Sequence, residues 1–159
     1  MKHTIVKTTG IYDRLTPLGL LRMELADNDL VSMYFLDGSE SYPAHPTLAR
    51  LIDEYFAWGR PIDYPVRFLS GTPFQKTVWA ALMRIPFGVV KTYKDIAVEI
   101  GHPAAFRAVG QACKRNPVGL VVPCHRVIGS DGSMTGYSGP SYVGLKQQLL
   151  NHEARFVKK

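Results

Sequence analysis

The sequence predicts an α+β protein: a small α/β scaffold over residues 1–69, followed by a mostly helical segment over residues 70–159. Three observations carry that reading. Two apolar runs broken by an Asp/Asn turn occupy residues 18–36, capped helical segments crowd the stretch after Ser70-Gly71, and charge divides at the same place. Of 159 residues, 19 are Lys or Arg and 13 are Asp or Glu, a net charge of +6. Residues 1–69 hold 7 basic and 9 acidic side chains, the remainder 12 and 4. A basic half joined to a mildly acidic one fits contact with a polyanion, although surplus Lys and Arg also serve solubility alone. A hydrophobic content of 46% with 20% charged residues excludes a disordered or fibrous chain. No repeat is present, and no apolar run approaches the roughly 18 residues of a membrane span. Residues 1–7 lack the apolar segment of a signal peptide, and the two cysteines form no C-x-x-C pair. A reducing, cytoplasmic compartment is therefore expected, or the nucleus in a eukaryote.

Taken in order, Leu18–Leu25 and Leu30–Leu36 read as strands. Asp27-Asn28-Asp29 is the turn between them, because Asn and Asp tolerate the left-handed backbone. Leu48, Leu51, Ile52, Tyr55 and Phe56 recur at helical spacing over residues 46–58, and Gly59-Arg60-Pro61 breaks the pattern. Residues 64–69 read as a further strand. Thr72-Pro73-Phe74-Gln75 is a capping box with proline at the first helical position. Phe74, Val78, Leu82 and Ile85 mark the apolar stripe of the helix it opens. Thr92-Tyr93-Lys94-Asp95 opens a second helix through Ile100, with Gly101 beyond its end. A third runs from Ala104 to about Arg115 and is closed by Asn116-Pro117.

The last two helices, joined across Gly101-His102, have the outline of a helix-turn-helix. Small residues (Ala104, Ala105, Ala108, Gly110, Ala112) let the second of them approach a partner closely, and Arg107, Lys114 and Arg115 make it basic. Nucleic acid fits this face better than a plain helix–helix contact. Val118–Val122 then reads as a buried strand that ends at Pro123 and displays Cys124. A free thiol is only a few per cent thiolate at pH 7, and His125 and Arg126 would raise that fraction. His152-Glu153 in a final helix, whose buried face is Leu145, Leu149 and Leu150, supplies a carboxylate for a Cys–His–carboxylate relay. Cys113 reads as an inert buried thiol. Zinc is not expected, since adjacent Cys124 and His125 do not turn to one ion and no paired ligand spacing exists. Gly129–Ser133 is a hairpin-type turn, followed by the aromatic loop Met134–Pro140.

These residues resemble the O6-alkylguanine-DNA alkyltransferases (methylated-DNA–protein-cysteine methyltransferases). Pro123-Cys124-His125-Arg126-Val127 matches that family's active-site motif. In order around it stand Thr72-Pro73-Phe74-Gln75, Tyr93, Arg107-Ala108-Val109-Gly110, Asn116-Pro117, Gly136-Tyr137-Ser138-Gly139 and Leu149-Leu150-Asn151-His152-Glu153. The resemblance spans residues 71–153. It implies a ribonuclease H-like scaffold ahead of a winged helix-turn-helix domain that binds duplex DNA and flips the lesion base out of the stack. Cys124 would take the alkyl group from guanine O6 once and irreversibly, with O4-alkylthymine left open as a substrate. His125, polarised by Glu153, would remove the thiol proton through a water. Tyr93 would donate to guanine N3, and Asn116 would hold the turn. Arg107 would fill the gap left by the flipped base, with Ala108, Gly110, Lys114, Arg115 and Thr92 on the DNA face. Pro123, Val127, Tyr137, Ser138 and Gly139 would line the substrate pocket.

No cofactor and no metal are implied, because the alkyl group is itself the electrophile. A monomer is expected, with cooperative binding along DNA left open. Pro140, and a stretch before Lys146 about two residues longer than usual, depart from the family pattern on the pocket loop. The competing readings are a non-catalytic lesion sensor or winged-helix regulator, and a Cys–His hydrolase using Cys124 with His125 or His152 and Asn116.

Overall fold

A computed structural model describes residues 10–133 and 144–157. It opens with three antiparallel strands in the order β1-β2-β3: β1 (Gly10–Thr16), β2 (Gly19–Ala26) and β3 (Asp29–Leu36). Asp27 and Asn28 both take positive φ (51° and 71°) between the paired residues Ala26 and Asp29. That is the two-residue turn whose twist matches a hairpin. The sequence reading missed β1 because a carboxylate interrupts its pattern. Asp13 is its one fully buried side chain, held by two bonds from Arg22 and by the backbone N–H groups of Ser41 and Tyr42.

Helix α1 (Pro46–Trp58) has the expected bounds, with Leu48, Ile52 and Tyr55 buried. His45 Nδ1 caps it by accepting from Leu48 N–H, and Gly59, at φ 67°, closes it in the left-handed conformation. The strand expected over residues 64–69 is reduced to one bridge between Leu30 and Val66. Leu30 N–H donates to Pro65 O and Arg67 N–H to Leu30 O, but Pro65 has no N–H with which to extend the ladder.

Helix α2 (Pro73–Met83) carries the capping box as read, with both the Thr72 and the Gln75 bonds made. A two-residue strand β4 (Lys91–Thr92) leads into α3 (Tyr93–Glu99), and Thr92 and Asp95 form a second capping box. Helix α4 (Phe106–Lys114) begins two residues later than expected. Ala105, at its N-cap, has no capping side chain and instead closes a turn onto His102 O. Trp79 Nε1 donates to Ala112 O and pins α2 to α4.

The strand expected over 118–122 is not one. Leu120 has φ 72°, Val121 N–H folds back to Gly119 O, and Val122 N–H folds back to Val118 O. The cause is Asn116, whose side chain accepts from Val118 N–H and donates to Val122 O, folding five apolar residues into a compact loop. A one-turn 3₁₀ helix (Cys124–Arg126) follows, then β5 (Val127–Ile128), parallel to β4, and finally α5 (Leu145–Ala154).

The buried residues make one continuous core. Leu21, Met23, Leu30 and Met33 from the sheet pack in the same cluster as Trp79, Leu82, Val109, Val122 and Leu149. The outer edge of β3 also holds the loop before Cys124, through Met33 N–H to Pro117 O and Gly119 N–H to Met33 O. Among the described residues no helix is long and apolar enough to cross a membrane.

Candidate active site

Cys124 opens the 3₁₀ turn and is only 3% exposed, so the thiol is enclosed rather than displayed at a strand end as the sequence suggested. Burial pushes its pKa up; a hydrogen bond from Asn116 and the Lys146 ammonium act against that shift. Arg126 does not assist the thiolate as expected. Its Nε and Nη2 make a bidentate pair with Glu153 at 2.8 and 2.9 Å, and its Nη1 donates to Ile85 O.

Glu153 is the hub. At 1% exposure it also accepts from Tyr55 OH (2.6 Å), Gly88 N–H (3.0 Å) and His125 Nε2 (2.7 Å). Burial alone would raise its pKa, but the bonds from His125 and Arg126 prevail and hold it well below the usual carboxylate range. An ionised carboxylate can only accept, so His125 Nε2 carries the hydrogen. Burial lowers the imidazole pKa despite Glu153, which leaves the ring neutral. Its Nδ1 is then an unprotonated nitrogen, buried and without a hydrogen-bond partner among the described residues. A neutral thiol and an imidazole with a free lone pair stand on consecutive residues, oriented by a fixed anion. That arrangement supports nucleophilic chemistry with general-base assistance.

The other expected residues fall in three groups. Tyr93, the first residue of α3, is 8% exposed, and Lys146 Nζ donates to its hydroxyl at 3.2 Å. Pro123 caps the 3₁₀ turn and Val127 is fully buried in β5. On α4, Arg107, Ala108, Lys114 and Arg115 face solvent, while Val109, Ala112 and Cys113 face the core. A side chain at Gly110 would meet open space. Thr92 is occupied in capping α3 through Asp95. Tyr137, Ser138, Gly139 and Pro140 lie outside the described residues. His152 takes no part in the relay; its Nε2 bonds to the backbone carbonyl of Tyr55.

Three residues of this neighbourhood escaped the sequence reading. Lys146 is 3% exposed; its place between Leu145 and Leu149 on the buried face of α5 was the available signal. Tyr55 was read only as core. Phe106 is 42% exposed beside Arg107, whose guanidinium lies 5.8 Å from its ring centroid. It lines a cavity of about 390 Å³ together with Tyr93, Lys94 and residues 129–131 and 133.

Residues 73–155 match the family model described as the 6-O-methylguanine DNA methyltransferase, DNA binding domain. This chain belongs to that family. A methylated-DNA–protein-cysteine methyltransferase of Methanosarcina barkeri is 50% identical over 106 residues, which cover 66% of this chain and 65% of the relative. The constitutive methylated-DNA–protein-cysteine methyltransferase of Bacillus subtilis is 43% identical across 89% of this chain and 84% of its own length. The crystal structure of Mycobacterium tuberculosis O6-methylguanine methyltransferase superposes with a TM-score of 0.83 at 32% identity, covering 95% of this chain and 96% of that one. A structure of Mycobacterium tuberculosis OGT in complex with DNA aligns with a TM-score of 0.81 at 33% identity, over 92% and 94%. In this chain the buried Cys124 directly precedes the bonded His125–Glu153 pair.

Proposed function

We infer that this family member reverses alkylation damage in DNA directly, moving the alkyl group of O6-alkylguanine onto Cys124 in a single irreversible turnover. The observation that carries this reading is the buried relay: Glu153 orients neutral His125, whose unprotonated Nδ1 is free to accept the thiol proton. As that proton moves to His125, through a water, Cys124 Sγ attacks the alkyl carbon in line. The S–C bond forms, the C–O6 bond breaks, and the electron pair stays on the guanine. Tyr93 donates to guanine N3, so the departing base carries less negative charge. Lys146, bonded to the Tyr93 hydroxyl, adds positive potential for both the departing base and the thiolate. The thioether product has no good leaving group, which makes the protein its own stoichiometric reagent.

Duplex DNA lies along the exposed face of α4, in a winged helix-turn-helix arrangement formed by α3, α4 and the turn at Gly129–Ser133. Arg107 fills the gap left by the extruded nucleotide. Ala108 and Gly110 permit close approach, Lys114 and Arg115 meet phosphates, and Thr92 sits at the edge of this face. Asn116 keeps the loop before Cys124 folded, while Pro123 and Val127 wall the pocket. Residues 70–159 form the DNA-binding and transfer domain, and residues 1–69 a ribonuclease H-like scaffold. The protein works as a cytoplasmic monomer.

The test is the intact protein mass after mixing with a duplex that contains O6-methylguanine. One methyl group gained in place of one hydrogen, and lost in Cys124→Ala, is expected. Tight binding with no change in mass would make the protein a lesion sensor instead.

A further inference from the structure

Glu153 Oε2 accepts three hydrogen bonds, and one of them comes from outside residues 70–159. His125 Nε2 (2.7 Å) and Arg126 Nη2 (2.9 Å) reach it from the 3₁₀ turn, whereas Tyr55 OH reaches it at 2.6 Å from α1. Tyr55 is 1% exposed, and its placement is secured twice over. The His152 ring bonds to its backbone carbonyl at 2.9 Å, and its own ring packs against Phe87 and His152, with centroids 5.7 and 4.9 Å away. A phenylalanine would fill that packing equally well, so packing does not account for the hydroxyl. The hydroxyl ends on the same oxygen that the catalytic imidazole uses.

We propose that Tyr55 is a positioning residue for alkyl transfer: its hydroxyl holds Glu153 Oε2 in place and sets how strongly that carboxylate polarises His125. The proposal rests on the alkyl-transfer reading above. Each donor on a carboxylate oxygen draws off part of the negative charge available to the others. Among the groups acting on His125 and Glu153, Arg126 is a fixed cation and Lys146 on α5 a second positive group, while on the alkyl-transfer reading the neighbouring Cys124 supplies the proton. His152, on α5 as well, is turned to the Tyr55 carbonyl. Tyr55 is the neutral donor whose strength can be changed without moving a charge. The scaffold half thereby reaches the chemistry through one oxygen atom.

The sign follows from the charge on Oε2. In Tyr55→Phe the oxygen has one donor fewer, polarises His125 more strongly and raises the proton affinity of the imidazole. His125 is active as a base only when unprotonated. The acid limb of the rate–pH profile for methyl transfer from O6-methylguanine duplex should therefore move to higher pH, by about 0.5–1 unit. Site-specific difluorotyrosine at position 55 is a stronger donor and should move the limb to lower pH. It also decides the matter should Tyr55→Phe not fold. A merely structural role would reduce the rate equally at every pH, and an unmoved limb in the folded variants overturns the proposal. Wild-type protein in the same assay separates the two failures: if it gains no methyl group, the transfer reading itself is wrong.

Discussion

Glu153 is the most completely satisfied side chain of the site, and its ionisation has consequences for stability as well as for chemistry. Its folded pKa is depressed, so it contributes stability above its unfolded value near 4.5 that is lost as pH falls toward the folded value. His125 is also depressed, by burial, from 6.5. Below about pH 6.5 the unfolded chain therefore takes up a proton that the folded one resists, and stability declines further. Both effects have the same sign. The melting temperature of the wild type should fall steadily from about pH 6.5 downward. In Glu153→Gln the carboxylate part of that dependence disappears. The variant also leaves the Arg126 guanidinium, 8% exposed, without its anion, a change that typically costs about 3–5 kcal/mol. Urea titrations at pH 7 and pH 3 measure both, and an unchanged stability at pH 7 would contradict the buried-pair account.

At the scale of elements, α4 divides its work between two faces. Val109, Ala112 and Cys113 anchor it, with Trp79 of α2 fixed to its Ala112 carbonyl, while Arg107, Ala108, Lys114 and Arg115 stay outside. On the proposed reading, this rigid inner face would hold α4 in place while Arg107 enters the DNA. Arg107→Ala should accordingly slow reaction with O6-methylguanine in duplex DNA by about tenfold or more, a typical cost for losing one base-step contact. Reaction with free O6-benzylguanine should be nearly unchanged, since no stack has to be opened. Equal losses on both substrates would remove the finger role. Most of these elements could be read from the sequence. Capping boxes at Thr72 and Thr92 and the apolar stripes of α1 and α2 are written within a few consecutive residues, and local geometry obeys them. The failures share a cause. In β1 a buried Asp13 broke the alternation, and at 118–122 the Asn116 amide outcompeted the strand propensity of a Val-rich run.

For the whole molecule, the decisive feature is that both halves share one core and one edge. Met33 of β3 pairs with Pro117 and Gly119, and the sheet packs in the same apolar cluster as α2, α4 and α5. Two such halves should not unfold separately. Trp58, 67% exposed at the end of α1, and Trp79, 2% exposed in α2, are natural reporters of each. Single-tryptophan variants of both should give superimposable urea transitions. Two separated midpoints would mean that the scaffold folds independently of the site.

The sequence by itself singled out Cys124, His125 and Glu153, and it marked the basic helix and the positions of nearly every helix. These depend on motif spacing and on 3.6-residue periodicity, which are properties of neighbours in the chain. Only the tertiary structure decided that Cys124 is enclosed, that Arg126 belongs to Glu153 rather than to the thiol, and that Lys146 and Tyr55 stand at the relay. A lysine inside an apolar helix face and a tyrosine 98 positions from its carboxylate have no local signature. Their role exists only where packing removes water and leaves one oxygen to be shared, because there each added or lost donor changes what the remaining partners can do.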